Sequence, residues 1–154
     1  MSQIVSFHKS LVFGADHAGY ELKEYLKSIV EGWGLSFKDC GTNSDVSVDY
    51  PDLVQPVVDE VRKGAVGVLV CGSGVGISIG ANRFIGIRAA LCHDHLVAKC
   101  SREHNDANIL VLGSRIIGQD EAADCLKTFL ETPFEGGRHQ RRIEKLDQFR
   151  SDHD

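Results

Sequence analysis

The run VGVLVC at residues 66–71 carries no charged or hydroxyl side chain and ends in a thiol. A strand with one wet face alternates apolar and polar residues; a strand covered on both faces reads as a continuous apolar run. This run therefore predicts a strand inside a parallel sheet. Parallel neighbours need a crossover between them, usually a helix. The remaining sequence supplies that alternation. LVFGA at 11–15 reads as strand one, LSFKDC at 35–40 as strand two, GIRAALC at 86–92 as strand four and NILVLG at 108–113 as strand five. Leu22, Tyr25, Leu26, Ile29, Val30 and Trp33 follow helical spacing, and Gly34 can end that helix. Pro51 suits a first helical turn, with Val54, Val57, Val58 and Val61 as the buried face and Pro56 predicting a kink or a later start. Further helices are expected from about Val75, from about Asp94, over 119–131, and from about Gly137 to Phe149. The expected fold is α/β: a five-stranded parallel sheet with helices on both faces. At 154 residues it is expected to form one domain spanning 1–154, with 1–9 as an N-terminal extension.

Composition excludes several classes. The net charge of −5 argues against a sequence-independent grip on nucleic acid. No apolar stretch is long enough for a transmembrane helix, so no membrane partner is expected. The five cysteines form no C-x-x-C pair, and with no signal peptide in view they read as reduced thiols of a cytoplasmic protein.

Parallel sheets place their sites beyond the carboxyl ends of the strands. That rule selects Asp16 and His17, Gly41 and Thr42, Cys71 to Gly76, Cys92 and His93, and Ser114 and Arg115. The stretch CGSGVG at 71–76 is neither a dinucleotide fingerprint, because Ile77 stands where the third glycine belongs, nor a Walker loop, because no Lys-Ser or Lys-Thr follows. It can be a tight turn, or a run of backbone N–H groups that holds an anion or a developing oxyanion. Cys71 at a helix start can be an available thiolate or an inert buried thiol. Cys40, Cys92, Cys100 and Cys125 lack the loop and read as core or incidental.

Other polar groups carry two readings each. Asp16-His17 suits a polyol or phosphate, or a helix cap with an exposed histidine. His104-Asn105-Asp106 offers a proton donor and an amide, or a turn. Arg138 and Arg142, four apart on a helix, suit a phosphate monoester or a solvated face. His93 and His95 flank Asp94 without an obvious third ligand, so no metal is expected.

Five ordered stretches together resemble the B-type ribose-5-phosphate isomerases and the related galactose-6-phosphate isomerase subunits. They are GADHAG (14–19), DYPD (49–52), CGSGVGISIGANRFIGIRAA (71–90), SREHNDANILVLGSR (101–115) and EGGRHQRRIE (135–144). The resemblance implies a Rossmann-like three-layer α/β/α sandwich and an aldose–ketose isomerase of the pentose phosphate pathway, free of metal and cofactor. It implies Cys71 as the base between C1 and C2, His104 as the group that helps open the furanose ring, and a retained hydroxyl at Ser73. Gly72, Gly74, Val75 and Gly76 would frame the enediolate. Asp16, His17, Asn105, Arg115, Arg138 and Arg142 would contact the sugar phosphate, the last two chiefly at the phosphate. Other members use a glutamate base at the position of Val75, a route closed here. The family's sites are shared between two subunits, which implies a homodimer or a dimer of dimers, with the helix at about 137–150 packing on the partner. An isomerase of allose or galactose 6-phosphate and a catalytically silent phosphosugar-binding protein stay open as alternatives.

Overall fold

The computed structural model describes residues 9–149, so the expected extension, apart from Lys9, lies outside the described residues, as does position 150. The chain runs β1 Leu11–Ala15, α1 Tyr20–Gly32, β2 Phe37–Asp39, a 3-10 turn at Tyr50–Leu53, α2 Val54–Arg62, β3 Val66–Cys71, α3 Val75–Ala81, β4 Ala89–Leu91, α4 His95–Glu103, β5 Ile109–Gly113, α5 Gln119–Glu131 and α6 Arg138–Gln148. All strand pairs are parallel, in the order β2-β1-β3-β5-β4. This is the Rossmann-like α/β architecture expected from the sequence. The chain leaves β1 toward one edge to make β2 and returns past β1 to make β3. The topological switch point therefore lies between the carboxyl ends of β1 and β3.

The two edge strands are shorter than their apolar runs. Phe37 pairs with Leu11, the first residue of β1, so Leu35 and Ser36 have no ladder partner there. At the other edge Ile85 and Gly86 lie in a turn and Ile87 and Arg88 precede the strand, and the Asn82 amide both donates to the Ala89 carbonyl and accepts from its N–H. That side chain occupies backbone groups on the free edge of β4. Pro56 falls in the first turn of α2, where its missing N–H costs no helical hydrogen bond.

Alternate residues of β3 feed two cores. Val68 and Val70 pack with Leu26 and Val30 of α1 and with Leu126 and Phe129 of α5. Leu69 and Cys71 face the other way, toward Val57 and Val58 of α2 and Ile77 of α3. The thiol is thus on the α2–α3 side, at the last position of its strand.

One buried charge was not visible in the helical stripe. Lys23 is fully buried on α1. Its ammonium donates to both Asp39 carboxylate oxygens, at 2.7 and 2.8 Å, and to the Thr42 carbonyl at 2.7 Å. Lys27 and the Gly41 N–H also donate to Asp39. Burial works to raise the Asp39 carboxyl, but the two ammonium groups and the Gly41 N–H outweigh it and hold it below the ordinary carboxylate value. The cluster fixes the end of β2 against α1. Removing one partner of such a pair strands the other charge and typically costs about 3–5 kcal/mol.

Because the folded pKa of Asp39 is depressed, its contribution is fully present above the unfolded value of about 3.9 and is lost as pH falls through the folded value. Asp39→Asn is therefore expected to lower Tm strongly near neutrality, with the gap from wild type closing below about pH 4. Thermal melts from pH 7 to pH 2.5 check this; a gap that stays constant across the range contradicts it.

Candidate active site

The carboxyl ends of β1, β3 and β5 meet at the switch point. Cys71 ends β3 with its side chain 5% exposed, and its Sγ accepts the Gly74 N–H at 3.2 Å. Gly74 makes that contact from the left-handed region, at φ +80°, and a Cβ there would stand 2.4 Å from Leu91 Cδ1. A side chain at this position would need both a strained backbone and a displaced neighbour. Ser73 is exposed, and its Oγ accepts the Val75 N–H at 3.2 Å.

β5 is stitched to this loop by backbone bonds. The Ser114 N–H donates to the Cys71 carbonyl and the Arg115 N–H to the Gly72 carbonyl, both at 2.9 Å. The exposed Arg115 guanidinium lies over Gly72, 3.3 Å from where a Cβ would be. Ser114 Oγ also donates to the Ala18 carbonyl, joining the β5 end to the loop after β1. In that loop the buried Asp16 carboxylate accepts the Gly19 N–H at 3.0 Å. Gly19, not Asp16, is the residue that caps α1. His17 Nδ1 accepts the Val48 N–H at 3.1 Å, which leaves the proton on Nε2 of the neutral ring. Sequence reasoning missed Tyr50, whose ring presses on Gly76 close enough to exclude a Cβ. Its only signal was its place in the DYPD stretch.

His104, Asn105, Arg138 and Arg142 form a separate group. α4 runs back from β4, so His104 at its C-terminus lies beside the amino ends of the strands. Arg88, just before β4, donates to the carbonyls of Asn105 and Asp106 and to the Asp147 carboxylate on α6. This hub, absent from the sequence reading, fixes the turn after α4 and the last turn of α6 together. The His104 and His139 rings stack at 4.4 Å. Arg138 and Arg142 are exposed on α6, and neither has an ion pair among the described residues. Arg88 and Arg102, by contrast, each bond several protein partners.

Within one chain these two groups do not converge. Gly113 pairs with Cys71 at the top of the sheet, while four residues below, the Gly67 N–H donates to the Asn108 carbonyl. Four residues of strand span about 13 Å. His104 lies beyond that lower end. Volume does not mark the thiol either. A cavity of about 680 Å³ opens among Val61, Arg88, Arg102 and Phe129, and one of about 270 Å³ among Phe84, Ile85, Leu146 and Phe149. Neither is lined by the Cys71 loop.

Cys92 and Cys125 are buried away from the loop, and desolvation pushes their thiols up to about 11 and about 12. His95, one of the two histidines beside Asp94, bonds Asp124 and Thr128 on α5 and so ties two helices together.

The chain belongs to the ribose/galactose isomerase family, whose profile matches residues 11–146. It is 43% identical to ribose-5-phosphate isomerase B of Escherichia coli over 90% of this chain and 94% of that protein. The fold superposes on ribose-5-phosphate isomerase B of Clostridium thermocellum with a TM-score of 0.92 and 43% identity, covering 94% of this chain and 99% of the other. The Mycoplasma genitalium enzyme, solved with bound ribulose-5-phosphate, superposes with a TM-score of 0.90 at 35% identity, covering 95% and 99%.

The thiol contrast is measurable. Brief iodoacetamide treatment of the native protein near neutral pH is expected to leave Cys92 and Cys125 unmodified, by peptide mapping, until the chain is unfolded. Carbamidomethylation of either in the native state contradicts the burial that raises their pKa values.

Proposed function

We propose that the chain is a ribose-5-phosphate isomerase that interconverts ribose 5-phosphate and ribulose 5-phosphate through an enediolate. The observation that carries the chemistry is the Gly74 N–H held 3.2 Å from Cys71 Sγ at the switch point. That contact fixes the sulfur at the mouth of the loop, where a base would meet a substrate carbon. The relatives' activity and the match along nearly the whole chain support the substrate.

The reaction begins with the ring closed. His104 donates a proton to the ring oxygen, and the anomeric hydroxyl gives its proton to solvent water, which returns one to His104, as the aldehyde forms. Cys71 then removes the proton at C2. The bonding pair moves into the C1–C2 bond, and negative charge develops on the C1 oxygen, where the Gly72–Gly76 loop and the Ser73 hydroxyl offer donors. The O2 proton passes to O1. The thiol returns its proton to C1 as C2 becomes the carbonyl, so atoms balance and the thiolate is regenerated. Asp16, His17, Asn105 and Arg115 orient the hydroxyl groups. Arg138 and Arg142 clamp the phosphate, and their exposure without an ion pair among the described residues supports that role. Each charge-assisted bond of this kind contributes about 1.5–3 kcal/mol. Binding energy from the phosphate, remote from the reacting carbons, can orient those carbons.

The separation of the two groups supports a homodimer. Two copies related by a two-fold axis, each offering His104 and α6 to the other's thiol, form two complete sites. Exposed apolar residues support that packing: Val75 and Ile79 on α3, and Leu146 and Phe149 at the end of α6. Among the described residues, Ile143 is the one apolar side chain of α6 buried in its own chain, a burial worth about 1.5–3 kcal/mol. All five cysteines are unpaired, which supports a reducing cytoplasm. Among the described residues no helix is long and apolar enough to cross a membrane.

A direct assay on ribose 5-phosphate, allose 6-phosphate and galactose 6-phosphate is expected to give the highest kcat/KM on the ribose ester. Cys71→Ala should lower that kcat by about 10²–10⁴-fold, the usual general-base contribution, with fold and ligand binding retained. A variant that keeps more than about a tenth of the rate falls below that range and puts the base elsewhere. A wild-type chain inert on ribose 5-phosphate overturns the proposal.

A further inference from the structure

His139 is 6% exposed, and its Nε2 has no hydrogen-bond partner among the described residues. A buried ring nitrogen without a partner normally forfeits the interaction it had with water. The nearest group is the Glu135 carboxylate, with Oε2 at 3.5 Å. That is long for a hydrogen bond but close to the about 3.3 Å edge of a tetrahedron of ligands around zinc. His104 stacks on His139, and one ligand atom from each of His104, Glu135 and His139 lies within 4.8 Å of the other two. Closing all three onto one ion requires a shift of about 1.5 Å or less, within reach of a half-exposed His104 ring and an exposed Glu135.

The backbone holds the three side chains together. The Glu135 N–H donates to the carbonyl of Glu103, the residue before His104. Gly136 and Gly137 then turn the chain through the left-handed region, at φ +68° and +55°, and the His139 N–H donates to the Gly136 carbonyl. The EGG corner thereby folds Glu135 and His139 onto the end of α4. Two imidazoles and one carboxylate form a mixed nitrogen and oxygen set suited to zinc, cobalt or nickel and poorly suited to magnesium or calcium.

We propose that His104, Glu135 and His139 bind a zinc-class divalent cation, and that its occupancy withdraws His104 from proton transfer and so inhibits the chain. The inhibitory half of this inference rests on the isomerase reading; the binding half does not. A metal-bound imidazole cannot become imidazolium, because its ligating nitrogen has no lone pair left and its other nitrogen already holds the one proton, so it cannot act as the acid that opens the ring. Zinc therefore competes with ring opening, and three protein ligands leave a fourth position to water or to an oxygen of the sugar phosphate.

The test uses the full chain, freed of metal by a chelator and dialysed. Cobalt(II) absorption is expected to show one tetrahedral-type site per chain, and zinc is expected to displace it. Glu135→Gln and His139→Gln should each weaken that site by at least about tenfold, since even outer partners of a ligand can cost that much. Cys71→Ser should leave it intact, separating the site from thiol binding. In the isomerase assay, zinc should inhibit wild type reversibly, and Glu135→Gln should turn over normally and resist zinc. Unchanged cobalt binding in both Glu135→Gln and His139→Gln, each folded by circular dichroism, overturns the proposal. So does an active wild type that binds no cobalt. A chain that binds cobalt through these side chains but does not isomerise ribose 5-phosphate sustains the metal site and refutes the isomerase reading instead.

Discussion

Every strand in this sheet points the same way, so every connecting helix must run back. That single constraint sorts the functional side chains into two sets. Residues that follow a strand, namely Asp16, His17, the Cys71 loop and Arg115, gather at the carboxyl end. Residues that follow a helix, His104 and Asn105, are delivered to the amino end. The length of β5 separates the sets, and no side chain in the protein is long enough to bridge it. On the proposed reading, a complete isomerase site would draw one set from each of two copies, and α6 carries its arginines on an exposed face.

At the carboxyl end the positions are set by backbone contact more than by side-chain packing. The start of α1 approaches the β3 carbonyl at Val70, and Gly113 approaches the Ser73 carbonyl, each so closely that a Cβ would stand 2.4 Å away. Backbone bonds from Ser114 and Arg115 then fix the loop that carries the thiol. Such contacts leave few degrees of freedom, which is what a base and its donors need if they are to stay aligned through proton transfer. At the amino end the Arg88 guanidinium performs a similar task through side-chain bonds to the Asn105 turn and to Asp147. Two solutions to positioning thus coexist, a rigid backbone weave around the thiol and a polar hub beside His104.

Much of this was legible in the sequence because it follows from periodicity. Continuous apolar runs located β1, β3 and β5 to within a residue, and helical spacing located α1 and α5. The edge strands were overestimated because an apolar run records burial, whereas strand length is set by the partner's register. Cys71 stood out from four other cysteines by position alone, and the raised thiols of Cys92 and Cys125 agree with that division. Other features depend on distant pairing and leave no local pattern. Lys23 interrupts the apolar stripe of α1 as any solvated lysine does, and only the fold brings Asp39 to it. Arg88 reads as one more charge in an edge strand until its partners, up to 59 residues away, are in place. His139 lay within a matching stretch, but its lost hydrogen bond is a property of packing.

The division of one site between two chains is tested most directly by subunit mixing. Cys71→Ala and Arg142→Ala chains, each nearly inactive, are unfolded together, refolded as an equal mixture and assayed on ribose 5-phosphate. Half of the dimers would be mixed, and each would hold one site with both defects and one with neither, so roughly a quarter of wild-type activity returns. His104→Ala mixed with Arg142→Ala should recover nothing, because both defects lie in the same half of the site. Recovery in the second mixture, or none in the first with mixed dimers confirmed by mass, would contradict the account.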